Sequence, residues 1–186
     1  MIPSLFVLTL LVALAPALVG MYSGLVRRKK QVDNAWSQID VQLKRRCDLI
    51  PNLVETVKGY AKHEASTLDR VTQARTAAMA VRPGGTVGKM SAETALGSAL
   101  RGLMVQVEAY PQLKANQNFL QLQEELTSTE NKISFARQHY NDCATNYNTA
   151  IAVFPSNLIA GMFHFADADL WRIEEPAERK APQVKF

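Results

Sequence analysis

The stretch Val32-Asp33-Asn34-Ala35-Trp36-Ser37-Gln38-Ile39-Asp40-Val41-Gln42-Leu43 spaces its apolar residues Val32, Trp36, Ile39 and Leu43 four and three positions apart. Side chains at this spacing fall on one face of an α-helix, and its steady repetition makes a seam of coiled-coil type. The count runs on through Ile50, Leu53, Val57, Tyr60, Val71, Ala74, Ala78 and Val81, and of its fifteen positions only Arg46, Glu64 and Thr67 are not apolar. Pro51 does not shift the phase, so it predicts a kink that frees the carbonyl of Cys47, with no reversal of the chain there. The expectation is one rod of about 55 residues, ~80 Å long at 1.5 Å per residue. Arg82-Pro83-Gly84-Gly85-Thr86-Val87-Gly88 ends it as the first strong reversal.

Two further helical segments follow. Leu96, Leu100, Leu103, Val107 and Tyr110 keep the same spacing up to Pro111. The third segment is the most regular, with Phe119, Leu122, Leu126, Thr129, Ile133, Ala136, Tyr140, Cys143, Tyr147, Ala150 and Phe154 in register and Thr129 its one polar member. Arg46, at a seam position, is expected to fix the helix register or to pair with a buried carboxylate. Asn52, Asn116, Asn131, Asn141 and Asn148 are candidates for hydrogen bonds between helices. No stretch alternates as a half-buried strand does, so the fold class is all-α, an up-and-down antiparallel bundle of long helices. Phe154-Pro155-Ser156-Asn157 is a second stop, and from Glu174 on the chain is polar and expected to be extended.

Towards the N-terminus, Ile2 to Val26 contains no charged side chain. As a helix these residues would measure ~37 Å, enough to cross a ~30 Å hydrocarbon core with modest tilt. Ala13-Leu14-Ala15 resembles a signal-peptidase site, but no basic segment precedes the apolar run and Pro16 would follow the cut. The reading is an uncleaved transmembrane helix. Arg27, Arg28, Lys29 and Lys30 follow it directly, which predicts a short outside N-terminus, a cytoplasmic body and a place for anionic lipid head groups. The expected organisation is therefore an anchor at 1–26, a helical body at 27–154, and an apolar patch with a tail at 155–186. The expected location is the inner membrane of a bacterium, crossed once.

The net charge of +4 comes from that basic run, since outside it 17 basic residues balance 17 acidic ones. A neutral body has no electrostatic footprint for nucleic acid, which excludes that class of partner. Gly84-Gly85-Thr86-Val87-Gly88-Lys89 is not a phosphate loop, because Pro83 and Met90 stand where a glycine and a serine or threonine are needed and no strand precedes it. His139, Asp142 and Cys143 lie within one helical turn and could present metal ligands. Cys143, however, belongs to the apolar seam, and nothing in the sequence completes a tetrahedron around it. His63 and His164 are isolated, and a disulfide between Cys47 and Cys143 is not expected in a reducing compartment. The expectation is no enzyme, no metal and no cofactor.

Longer matches point to a family. Val32 to Arg46 with Asp48-Leu49-Ile50-Pro51-Asn52-Leu53-Val54 resembles the first signature of LemA-family proteins. Glu108-Ala109-Tyr110-Pro111-Gln112-Leu113-Lys114-Ala115-Asn116 is similar to the second. Thr129-Glu130-Asn131-Lys132-Ile133, Ala136-Arg137, Tyr140-Asn141, Tyr147-Asn148 and Phe154-Pro155-Ser156-Asn157 are similar to the third. The resemblance implies a membrane helix with a short external end and a four-helix up-and-down bundle. It also implies a role in membrane organisation or quality control, with relatives tied to magnetosome membranes or encoded beside membrane metalloproteases. It brings no catalytic residues.

The residues favour an interaction module, held at the membrane and assembling with copies of itself. Partner contact is expected at Leu158, Ile159, Met162, Phe163 and Phe165, which otherwise would cap the bundle's own core. The rival expectations are an adaptor for a membrane protease and a metal-dependent protein using His139, Asp142 and Cys143.

Overall fold

The structure, a computed structural model, describes residues 2–60, 65–81 and 86–171, with side chains from residue 15 on. Six helices follow one another: α1 (Ile2–Lys58), α2 (Ala65–Ala80), α3 (Thr86–Val107), α4 (Pro111–Lys114), α5 (Gln117–Ala152) and α6 (Ser156–Met162). Among the described residues there is no strand.

Cross-contacts give the directions of the helices. Tyr60 meets Asn116, Arg46 meets Glu130 and Trp36 meets Tyr140, so α5 descends along α1 as α1 ascends. Lys89 meets Asp40 and Arg46 meets Glu93, so α3 runs parallel to α1. Arg75 of α2 reaches Cys47 of α1, so α2 runs back down it. The bundle of α1, α2, α3 and α5 is thus up, down, up, down. Below it, α1 and α5 continue as a pair, capped by α6.

The long rod is corrected. α1 passes through Pro51 unbroken, but it stops at Lys58, and α2 forms a hairpin with it instead of prolonging it. Thr67, Leu68, Val71 and Ala78 of α2 are buried against α1 and α3. The Cys47 carbonyl, left free because proline has no N–H, accepts from Arg75 Nε at 2.8 Å. The carbonyl freed by the proline in one arm of the hairpin is therefore where the other arm is fastened.

Local chemistry places the remaining ends. Pro111 opens α4, where its missing N–H costs nothing. Asn116 caps α5 by accepting from the Phe119 amide at 3.0 Å. Its amide nitrogen also donates to the Tyr60 hydroxyl at 2.9 Å, joining the tops of α1 and α5.

The apolar span expected over Ile2–Val26 is helical, as the first part of α1. The side chains of 1–14 lie outside the described residues. Among the described residues no helix is long and apolar enough to cross a membrane. Of the reversal expected over 82–88, residues 82–85 lie outside the described residues, and Thr86, Val87 and Gly88 instead open α3. His63 and the residues beyond Trp171 also lie outside the described residues.

Candidate functional site

Three features stand out of the packing: a buried arginine, a strap on α5, and the end of the α1/α5 pair.

Arg46 is 3% exposed in the middle of the bundle. Its guanidinium donates to the Glu130 carboxylate at 2.8 Å, to the Glu93 carboxylate, and to the Glu93 backbone carbonyl at 3.1 Å. Burial alone would lower the pKa of the guanidinium, but the charge and hydrogen bonds of Glu130 and Glu93 outweigh it and hold it raised. Burial pushes the Glu93 carboxyl up, and Arg46 draws it only part of the way back. The group ties α1, α3 and α5 together. Its chemistry is that of a register lock: both terminal nitrogens of the guanidinium are committed to Glu130 and Glu93, and only the buried Nε has no hydrogen-bond partner among the described residues.

The strap is the chain from Phe165 to Trp171, which returns along α5. Asn148 donates to the Ala168 carbonyl and accepts from the Ala168 amide, at 2.9 and 2.8 Å. Asn141 does the same to Trp171, at 2.9 and 2.8 Å. Tyr147 and Tyr140 donate to the carbonyls of Ala166 and Asp169. Seven helical residues span ~10.5 Å, and three residues of open chain span ~10 Å, so two Tyr-Asn pairs a heptad apart match backbone groups three residues apart. Trp171 is buried at the end of the strap, beside Trp36 and under Arg137. Asn141 and Asn148 therefore hold backbone where bonds between helices were expected. Burial, followed by the charges of Asp169 and Asp33, pushes the Tyr140 phenol up to about 12.

That shift gives a test. A phenol raised in the folded state contributes stability that is intact below its ordinary value of 10.0 and is lost as pH rises towards about 12. The denaturation midpoint should fall through this window more steeply for the wild type than for Tyr140→Phe. Parallel curves would mean that the buried phenol does not set the dependence.

The third feature combines two segments distant in the sequence. No Asp, Glu, Lys or Arg occurs between Asp142 and Asp167, and none between Ile2 and Val26. Leu25 of α1 packs on Ala150 of α5 and on Ile159 and Ala160 of α6, which brings both uncharged segments to one end of the molecule. Tyr22 lies against Phe163 and Phe165, with ring centroids 4.7 and 5.9 Å away. Arg27, Arg28, Lys29 and Lys30, all exposed, follow on the next turn of α1.

The apolar residues expected to meet a partner divide between two roles. Ile159 is buried and Phe165 half-buried, and both belong to the core of this end. Leu158, Met162 and Phe163 point outward, Met162 at 73% exposure. Phe154, at 78%, joins them from the turn before α6. The seam pattern had assigned Phe154 to the interior; the break at Pro155 frees it from the register.

The candidate metal ligands do not converge. Cys143 Sγ lies 3.7 Å from His139 Nε2 on the next turn, while Asp142 is exposed. Among the described residues no three His, Cys, Asp or Glu side chains form a metal site. Both cysteines are free, and burial raises the Cys47 thiol.

With this geometry in hand, the sequence pattern of the LemA family matches residues 35–186. The chain belongs to the LemA family. Protein LemA of Metamycoplasma hominis is 28% identical to it over 157 residues, covering 84% of this chain and 71% of that protein. Magnetosome protein MamQ 2 of Paramagnetospirillum magneticum is 26% identical over 190 residues, covering 89% and 70%. Magnetosome protein MamQ of Magnetospirillum gryphiswaldense is 25% identical, covering 90% and 70%. The LemA match takes in Arg46, both Tyr-Asn pairs, the strap and α6, and begins at Ala35, after the basic run.

Proposed function

We propose that this LemA-family chain is a single-pass membrane protein whose helical body assembles with copies of itself and organises the membrane around it. The observation that carries the reading is the uncharged end, where residues 15–26 and 143–166 meet with the basic run just beyond them. An aqueous domain has no physical reason to clear every charge from two distant segments that fold together. A bilayer supplies one, since a charge in hydrocarbon is costly. Ile2–Val26 is the membrane helix, Arg27–Lys30 hold it by the positive-inside bias, and the body lies in the cytoplasm. The relatives named as magnetosome proteins support a role at membranes.

Self-assembly is supported by a second surface, away from the membrane end. Val41 on α1, and Leu120 and Phe135 on α5, are exposed, Phe135 at 72%. Apolar side chains in such a line fit the flank of a second copy.

Two measurements test the proposal. The full-length chain should stay in the membrane fraction through alkaline extraction; release into the supernatant would remove the anchor. In detergent, light scattering corrected for bound detergent should give a defined multimer that Phe135→Glu dissociates. A monomer at all concentrations would sink self-assembly and leave an adaptor for a different protein, such as a membrane protease.

A further inference from the structure

We infer that α6 and Phe154 form a second membrane contact, a short amphipathic element lying in the interface of the same bilayer that the N-terminal helix enters. The inference rests on the anchor reading above and adds a site to it.

The placement comes first. α6 sits beside Leu25 and Tyr22 of α1, on the anchor side of Arg27–Lys30. If those four cations lie at the level of the lipid head groups, α6 lies level with the outermost acyl chains. A helix of this length has two faces, and both are accounted for. Ile159 and Ala160 pack inward on Leu25 and Ala150. Leu158, Met162 and Phe163 face outward, beside Phe154.

Three observations make the occupant a bilayer and not a protein. The outward residues continue the uncharged surface of α1 without a break, so anything covering α6 also covers the membrane-entering helix. The segment from Cys143 to Ala166 carries no Asp, Glu, Lys or Arg with which to specify a protein partner, its one basic side chain being the exposed His164 just past α6, while the neighbouring cations complement anionic head groups. The backbone suits an apolar medium: the amides of Phe163 and Phe165 donate to the carbonyls of Ile159 and Ala160 at 3.1 and 2.9 Å, closing the C-terminal turn of α6 internally. Tyr22, in tilted ring contact with Phe163, occupies the level at which aromatic side chains gather in membrane proteins. Two points of insertion would also fix the rotation of the body about the anchor, which a single helix leaves free.

The test uses the full-length chain in vesicles of phosphatidylcholine with phosphatidylglycerol. An environment-sensitive fluorophore is attached through Met162→Cys or Leu158→Cys in a Cys143→Ala background; the Cys47 thiol is buried and does not compete. Val19→Cys reports the anchor, and Gly102→Cys, an open site on α3, reports the body. Quenchers carried on lipid acyl chains should dim the Met162, Leu158 and Val19 reporters to a similar degree and leave Gly102 untouched. Dimming at Val19 alone would overturn the inference and leave the anchor standing. No dimming at any position would overturn both. Reporters at 158 and 162 shielded from aqueous iodide yet untouched by lipid-borne quenchers would place a protein on α6, and so overturn the inference as well. Unchanged helical circular dichroism shows that the labelled chains are folded.

Discussion

Arg46→Met should destabilise the helical body by about 3–5 kcal/mol, the usual cost of removing one partner from a buried ion pair. The substitution keeps most of the volume of the side chain, so little of the loss is cavity. It comes from Glu93, whose side chain is 2% exposed and would be left without its cation. Glu130, at 40%, has water available and contributes far less, so Glu130→Gln should cost about 1 kcal/mol or less. Two controls separate this account from a general weakening. Glu93→Leu in the Arg46→Met chain should recover most of the stability, because an apolar residue of similar size needs no counter-ion. The loss should also depend on pH. The Glu93 carboxyl is already raised by burial, and without Arg46 it rises further, so the folded mutant holds its proton more tightly than the unfolded one. Stability is then retained at pH values below the ordinary carboxylate range and lost as pH climbs through the raised value. Thermal unfolding of the two single variants and the double variant across acid and neutral pH measures all of this. A double variant no more stable than Arg46→Met would mean that the stranded carboxylate is not the cause.

The same arginine marks how far the fold could be read from its pattern. The four-and-three count put Arg46, Thr67 and Thr129 on the seam although none is apolar, and all three are buried where the count put them. Periodicity reports which face of a helix is covered, and it is blind to the direction of the next helix. The count passed through the hairpin between α1 and α2 because the connection happened to preserve its phase. The local sign of the turn was Lys58-Gly59, a basic last turn followed by a glycine just past the helix end. Pro51 was the louder signal, and it is absorbed because Arg75 satisfies the carbonyl it frees. At the end where α1 meets α6, both uncharged segments are plain in the sequence. Only the antiparallel pairing of α1 with α5 makes them one surface, and only the third dimension divides Ile159 and Phe165 from Leu158, Met162 and Phe163. The strap was the least legible element. Its Tyr-Asn pairs are visible a heptad apart, but their partners are backbone groups, which leave no residue pattern to find.

Replacing Asn148 with Ala should release the strap without unfolding the bundle. Each asparagine gives one donor and one acceptor to the same residue, so the substitution strands an amide and a carbonyl together. At about 1–1.5 kcal/mol for each lost hydrogen bond, the expected cost is about 2–3 kcal/mol. That exceeds what a seven-residue segment can be expected to hold in reserve, so the cost should appear first as local opening. Amide hydrogen exchange should accelerate from 166 to 171 while the seam of α1 and α3 keeps its protection. Opening the strap also uncovers Trp171 from Trp36 and Arg137, so tryptophan emission should shift towards that of a hydrated indole. Asn141→Ala, made alone, should give the same local signature, because Asn141 holds the Trp171 end of the same segment. The two substitutions together should cost less than their sum. Once either clamp is lost the strap is largely free, and the second has little left to release. Strict additivity would mean that the two clamps act on separate segments. Uniform acceleration across α1, α3 and α5 would mean that the strap belongs to the cooperative core. If the strap opens alone, α6 and the uncharged end are held by a tether whose tightness is set by two asparagines on α5, and a change at those positions reaches that end without passing through the bundle.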